Sequence, residues 1–272
     1  MIGDPNVMAQ PLLISVVRDE AMYRRCIVEN KFCNDCELMK FDNRAKNEVI
    51  PVLYNRALDG LAYSTPRWIV FAHEDFEACE PLAARLAEAD PNRIYGLVGG
   101  RASLHQLPWF LGGVWSIVTM GQIGQSAKDG SNVIRVGTAA PMNTEVETVD
   151  CLFLAIHSSL VERFRLRFDE HLSFDLYVED FCINAFVHHQ VKTALLSLAC
   201  CHHSGGCVQP RFFEQLVYLN AKYPAPLEFF GSMGWTIGGG KTFLRRCQKR
   251  FWAFVVRFAP FYVKWRCRRM AG

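Results

Sequence analysis

The chain lacks any long apolar run. No stretch approaches the roughly 18 consecutive apolar residues that a bilayer-spanning helix needs, so a membrane-embedded protein is not expected. Half of the 272 residues are hydrophobic, enough for one large core or one core with a small appendage. The segment Pro11 to Val17 is too short for the apolar region of a secretory signal. Internal repeats and low-complexity tracts are also missing, and charged residues make up an ordinary 21 %. The 11 cysteines have no regular spacing, and an odd, irregular set in a long chain points to reduced thiols and a cytoplasmic compartment rather than a disulfide framework. Finally, acidic residues are absent after Glu228. The net charge of +3 therefore conceals a mildly acidic body and a strongly basic end.

What is present begins with Trp68-Ile69-Val70-Phe71-Ala72. A short continuous apolar run of this kind reads as a strand buried on both faces, as in a sheet between helices. It stops at His73-Glu74-Asp75. Polar, metal-capable side chains at the carboxyl end of a buried strand lie where open α/β sheets bind ligands. In extended chain, residues 73 and 75 point to one side, so His73 and Asp75 could face one ion or one phosphate together.

The rest of the chain repeats the pattern. Leu12 to Val17 is a second buried strand, followed by a helical spacing of Met22, Cys26 and Ile27. Glu37 to Phe41 is a third strand, ending in Asp42-Asn43. Residues 47–62 read as a helix with Pro51 in its first turn. Strand, helix, strand, helix, strand opens a doubly wound α/β fold. A helix is expected over Glu77 to Ala89, and strands over Ile94 to Val98, Val149 to Ala155 and Val191 to Ala199. Between residues 101 and 148 the glycines 112, 113, 121, 124, 130 and 137 point to loops and antiparallel hairpins. Glu179 to His189 reads as an amphipathic helix opened by Glu179-Asp180, and Pro210 to Tyr223 as another.

Chemistry concentrates where strands and helices end. A divalent ion wants His or carboxylate ligands converging from different strands, and Asp75 with one of His202 and His203 is a candidate pair. A carboxylate at a helix N-terminus is favoured as the anion by the helix dipole, so Asp180 is expected to be ionised and able to act as a base. Glu179-Asp180 could equally be simple capping. The crowd Cys200-Cys201-His202-His203 with Cys207 raises structural zinc as a rival. Adjacent strand residues point to opposite sides, however, and the spacing is not that of a zinc site. Cys33 and Cys36 form one Cys-x-x-Cys with no partner pair.

In sequence order these features resemble the family 2-like glycosyltransferases with the GT-A fold. The closest branch carries a His-x-Asp element in place of the usual Asp-x-Asp. The likeness covers about residues 12–225 and rests on six elements: the strand 14–17, Phe41-Asp42-Asn43, Tyr54-Asn55-Arg56-Ala57-Leu58, Val70 to Asp75, Val149-Asp150 through Phe168-Asp169-Glu170, and Glu179-Asp180. The resemblance implies a GT-A-type doubly wound mixed sheet flanked by helices over residues 1–228, with residues 229–272 as a basic, aromatic helical tail. It implies an inverting, metal-dependent transfer of a sugar from a nucleotide-sugar to an acceptor hydroxyl, in envelope polysaccharide or glycolipid synthesis. In that scheme Val17, Arg18, Asp42, Asn43, Asn55, His73 and Glu74 bind the donor. Asp75 and a late histidine, His203, hold Mn²⁺ or Mg²⁺. Asp180 is the base, with Glu179 next to it. The partners implied are the donor and a glycan or lipid-linked acceptor. The second reading is a catalytically inactive nucleotide-sugar-binding protein of the same shape, because His73 replaces the first aspartate.

The end of the chain carries its own expectation. Ten basic residues from Lys241 to Arg269 alternate with large aromatics. A basic helix with Trp and Tyr suits the membrane interface, which would dock the protein on the cytoplasmic face of an anionic bilayer. One helix length is not the groove that a nucleic-acid strand requires, so no nucleic acid is expected.

Overall fold

The computed structural model describes residues 9–106, 115–126, 131, 133–204 and 208–270. The lead-in 1–8, the glycines 112, 113 and 130, and Cys207 lie outside the described residues.

Two mixed sheets flanked by helices form the body. The larger one is built from β1 (Leu12–Val17), β2 (Glu37–Asp42), β3 (Trp68–Ala72), β5 (Arg93–Gly96), β9 (Glu145–Val146), β11 (Phe153–His157) and β12 (Lys192–Leu195), in the order β2-β1-β3-β11-β5-β12-β9. β2, β1 and β3 run parallel, β11 runs antiparallel to both its neighbours, and β12 is parallel to β5. β1, β3 and β11 are buried along their whole length.

Their alternation divides the interior. Leu12, Ile14, Val16, Ile69 and Phe71 face one core, while Leu13, Val17, Trp68, Val70 and Ala72 face the other. This is the period-2 rule applied to strands covered on both faces. The first core is closed by α2 (Ile50–Gly60), α4 (Ser158–Phe164), α5 (Tyr177–His189) and α6 (Pro210–Lys222). The second is closed by α1 (Glu20–Tyr23), its π-helical continuation Arg24–Val28, and α3 (Leu82–Ala87).

The smaller sheet has the order β10-β6-β7-β13-β4, from β4 (Phe76–Ala78), β6 (Gly99–Gln106), β7 (Trp115–Ser126), β10 (Thr148–Val149) and β13 (Cys200–His203). β8 (Ile134–Thr138) adds to β7. A register shift at Met120/Gly121 bends β7, and Gly121 there takes φ +87°, a conformation that disfavours any Cβ.

Four sequence expectations change. The strand expected over Val149 to Ala155 is split between β10 in the small sheet and β11 in the large one. Residues 77–80 are not helical: Glu77 sits in β4, and helix begins only at Leu82, because Pro81 suits the helix start and not its interior. The strand expected over Val191 to Ala199 is two strands, β12 and β13, joined by a turn at 196–199. The turn carries the chain from the large sheet to the small one. The strand expected over Ile94 to Val98 likewise ends at Gly96 before β6.

Past Glu228 the chain stays against the body. β14 (Phe229–Phe230) and β15 (Thr236–Ile237) form a hairpin, and Phe229, Phe230 and Ile237 are buried. α7 (Phe243–Phe258) and α8 (Pro260–Met270) follow. The Trp252 ring stacks on Phe213 of α6 at 5.4 Å, and Val255, Val263 and Cys267 join the first core. No helix among the described residues is long and apolar enough to cross a membrane. The described cysteines are free thiols. Burial pushes Cys33 and Cys36 up to about 12, so this Cys-x-x-Cys offers no thiolate near neutral pH.

Candidate metal centre and acidic cleft

β3 ends at Ala72 and the chain crosses directly into β4 of the other sheet. The three residues of that crossing are His73, Glu74 and Asp75. β13 lies antiparallel to β4, with His202 opposite Phe76, and the His203 N–H donates to the Asp75 carbonyl at 3.0 Å. The seam between the sheets thus brings ligands from two strands together. His73, Asp75 and His202 each offer a ligand atom, and these atoms all lie within 4.8 Å of one another.

Neighbouring side chains hold them. The Tyr177 hydroxyl donates to the Cys151 carbonyl (3.4 Å) and lies 2.9 Å from His73 Nε2. The His73 ring faces the Phe174 ring at 5.6 Å, and the Arg211 guanidinium covers the Phe174 ring at 4.6 Å. Burial lowers the His73 pKa, outweighing the nearby Asp75 charge, so the imidazole is neutral and keeps a lone pair for coordination. His202 Nε2 lies 3.4 Å from Asp75 Oδ2. Burial disfavours charge on both groups. Their mutual attraction wins, holding Asp75 below and His202 above their ordinary values. Asp75 Oδ1 is buried and has no hydrogen-bond partner. An orphaned carboxylate oxygen beside two imidazoles is costly unless a cation completes it, so the residues fit a divalent ion.

Two further acids lie near this centre, and a third, Glu179, lies near those two. Asp150 and Asp175 act electrostatically on His73. Glu179, on the first turn of α5, is buried, and its Oε2 has no partner. Burial, then the charges of Asp150 and Asp175, raise the Glu179 pKa well above that of an ordinary glutamate. Ser232 of the β14–β15 hairpin donates to Asp150 at 3.5 Å, so the chain beyond residue 228 also reaches these acids. Asp175, Tyr177 and Phe174 carry no pattern that sequence reading could use. Asp150 stood only as the start of a matched segment.

The other expected site residues are placed as follows. His203 points away from the cluster: its Nδ1 lies 2.7 Å from Ser126 Oγ, and its Nε2 contacts Glu77. Neighbouring residues of β13 face opposite sides, and it is His202 that meets Asp75. Asp180 also turns away. It is fully buried, bonded by Lys222 Nζ at 2.9 Å and by the Tyr223 hydroxyl at 2.7 Å. Burial pushes its carboxyl up despite those donors, the reverse of what the helix terminus alone suggests. The charges of Asp180 and Asp169 overcome the cost of burying Lys222 and raise the lysine.

Glu74 accepts from the Arg18 N–H at the end of β1, next to Val17 and the metal cluster. Asp42, at the end of β2, pairs with Arg44 on the surface. Asn43 closes its own loop through Glu48, with bonds of 2.8 and 2.7 Å. Asn55 is spent on the backbone of Phe168, at 3.0 and 2.9 Å, and on Glu170 at 2.8 Å. A cavity of about 540 Å³ between β6, β9 and the end of α5, lined by Arg101, Glu147, Phe186, Lys192 and Glu228 among others, includes no member of the triad.

The role of Asp180 can be checked by stability. Removing one partner of a buried, hydrogen-bonded pair costs roughly 3–5 kcal/mol, and the partial exposure of Lys222 argues for the lower end. Asp180→Ala is expected to lower unfolding free energy by about 3 kcal/mol in a urea titration; an unchanged midpoint would contradict the anchoring role.

No family model matches the chain, and none of the curated proteins does. Among solved structures it is similar to A197 from STIV (17 % identity, 72 % of this chain and 86 % of that one, TM-score 0.40). It is similar to GalNAc-T7, solved with UDP, GalNAc and Mn²⁺, at 9 % identity over 79 % of this chain and 48 % of that one, TM-score 0.44. S. aureus TarS 1-349 matches at 10 % identity over 78 % of this chain and 65 % of its own, TM-score 0.43. The chain thus spans about half the length of GalNAc-T7 and just under two thirds of TarS 1-349.

Proposed function

We propose that the chain is a metal-dependent inverting glycosyltransferase that moves a sugar from a nucleotide-sugar to an acceptor hydroxyl on a glycan or lipid-linked glycan. The observation that carries this reading is the His73–Asp75–His202 cluster with its orphaned Asp75 Oδ1, set at the carboxyl end of β3 beside the end of β1. Six motifs of the glycosyltransferase pattern in order along the sequence support it. Two imidazoles and one carboxylate would hold the ion, a donor set that suits Mn²⁺ better than the all-oxygen preference of Mg²⁺. When bound, the ion would supply Lewis-acid neutralisation of the charge on the departing nucleoside diphosphate.

The chain's own residues supply the rest. Tyr177, Phe174 and Arg211 fix the His73 ring. The end of β1, with Glu74 on the Arg18 N–H, forms the edge of the donor pocket, and Asp42 at the end of β2 can accept from the nucleoside. Glu179 is the group for the acceptor proton: in its ionised form, Oε2 takes the hydroxyl proton as the acceptor oxygen bonds to the anomeric carbon and the sugar–phosphate bond breaks on the opposite face. Asp180 would hold α5 in place through Lys222 and Tyr223. The site would work in the cytoplasm, in keeping with the free thiols.

A second reading, nucleotide-sugar binding without transfer, is favoured by one observation: Asp180, Asn43 and Asn55 are consumed by internal bonds. A thermal-shift series with UDP and GDP, with and without Mn²⁺, followed by release of free sugar from UDP- and GDP-sugars, separates the readings. A ligand at 100 times its Kd stabilises by about 2.7 kcal/mol. Mn²⁺-dependent stabilisation with sugar release supports the enzyme. Stabilisation without release supports the silent binder, and the absence of any nucleotide effect overturns both.

A further inference from the structure

α7 is two-faced in an unusual way. At 100° per residue, Trp252, Val255, Val256, Arg245 and Lys249 fall on the side that meets the body. Trp252 stacks on Phe213, Arg245 approaches Glu228, and Lys249 bonds to Asn220 at 3.1 Å. The opposite side carries Phe243, Leu244, Phe251, Phe254 and Phe258. Their exposures run from 55 % at Leu244 to 82 % at Phe243. These five, with exposed Cys247, fill a continuous arc about 100° wide. α8 adds further exposed rings, Phe261, Tyr262 and Trp265, which are 74, 38 and 48 % exposed. Most of the exposed large apolar side chains of the described residues lie on these two helices. So contiguous an apolar patch marks an interaction surface.

The charges flanking the arc identify the partner. On the same wheel Arg246, Arg250 and Arg257 form a row along one border of the stripe, and all three are exposed. Lys264 is exposed on α8. No acid follows Glu228, and Glu228 itself is buried and faces Arg245. The cations bordering the stripe therefore have no carboxylate on their own helices. An aromatic stripe beside an unbroken basic row is the pattern of a helix lying in a membrane interface, with rings among the acyl chains and headgroups and arginines at anionic phosphates. A self-association surface would oppose these cations to copies of themselves.

We propose that the outer face of α7–α8 docks the protein on an anionic lipid bilayer, parallel to the surface and without spanning it. The inner face, already packed on α6, holds the body at the membrane. This inference stands independently of the sugar-transfer reading, since it uses none of the cleft residues.

The test is co-sedimentation of the full chain with vesicles of phosphatidylcholine alone or mixed with phosphatidylglycerol. Binding is expected to the mixed vesicles, to weaken with added salt, and to be marginal with phosphatidylcholine alone. The double variant Phe251→Glu/Phe254→Glu is expected to lose binding by about tenfold or more, since each removes a fully burying aromatic. Arg250→Gln/Arg257→Gln is expected to abolish the preference for anionic lipid. Both pairs are exposed, so unchanged circular dichroism and melting serve as the folding control. Failure to sediment with anionic vesicles overturns the proposal, as does equal binding to neutral ones. A concentration-dependent dimer that the Phe251/Phe254 variant dissolves, without vesicle binding, overturns it in favour of a second copy as the occupant.

Discussion

Asp75→Ala is expected to eliminate the Mn²⁺-dependent part of nucleotide binding and all sugar release, while leaving the apo protein folded. Partners one shell out from a metal typically matter by 10–100-fold, so loss of the carboxylate ligand itself should weaken metal-dependent binding by more than about 100-fold. Stability should not fall as it does for an ordinary core substitution. Asp75 Oδ1 is buried without a partner, and an unsatisfied buried acceptor costs about 1–3 kcal/mol. Removing it relieves that cost, against the loss of the His202 contact at 3.4 Å. The apo variant should therefore melt close to the parent. Titration calorimetry with Mn²⁺ and UDP, alongside apo melting curves, provides the check. Unchanged metal dependence would exclude Asp75 as a ligand, and collapse of the apo fold would assign it a structural role.

Glu179→Gln is expected to lower turnover by roughly 10²–10⁴-fold, the range for losing a general base, with donor binding nearly intact. The pH dependence of stability distinguishes this role from packing. Glu179 is raised well above its ordinary value by burial and by Asp150 and Asp175. A group raised on folding contributes stability that is fully present below the unfolded value, about 4.3 for glutamate. That contribution is lost as pH rises toward the folded value, at about 1.4 kcal/mol per pH unit. Glutamine does not titrate. The melting temperature of the variant minus that of the parent should therefore grow from pH 4 to pH 7. A constant difference across that range would mean that Glu179 does not carry a raised pKa, and unaltered turnover would move the base to another acid of the cleft.

Much of the centre is legible from spacing. A buried strand ending in His-x-Asp puts both side chains on one side, and the structure brings these two into the cluster. The choice between His202 and His203 is not legible. They are adjacent on a strand, so exactly opposite faces are open to them, and a one-residue change of register would exchange their places. Pairing of β13 with β4, His202 against Phe76, decides it. Glu179 and Asp180 pose the same difficulty on a helix, 100° apart. The start of α5 is buried on all sides rather than amphipathic, so only its contacts distinguish the two: Asp180 meets Lys222 and Tyr223, and Glu179 lies near Asp150 and Asp175.

By itself the sequence determined the alternation of strand and helix, the buried central strands, the seam at residues 73–75 and the basic aromatic end, because these follow from local apolar periodicity and from charge. Tertiary structure alone decided which of two neighbouring histidines joins the cluster, that Asn55 and Asn43 are spent on backbone bonds, that Asp150 and Asp175 act on His73, and that one side of α7 packs while the other stays open. Those outcomes depend on register, on helix rotation and on contacts between distant segments, as between Asn55 and Phe168, 113 residues apart. No local pattern encodes them, since the free energy that selects each is shared with a partner elsewhere in the chain.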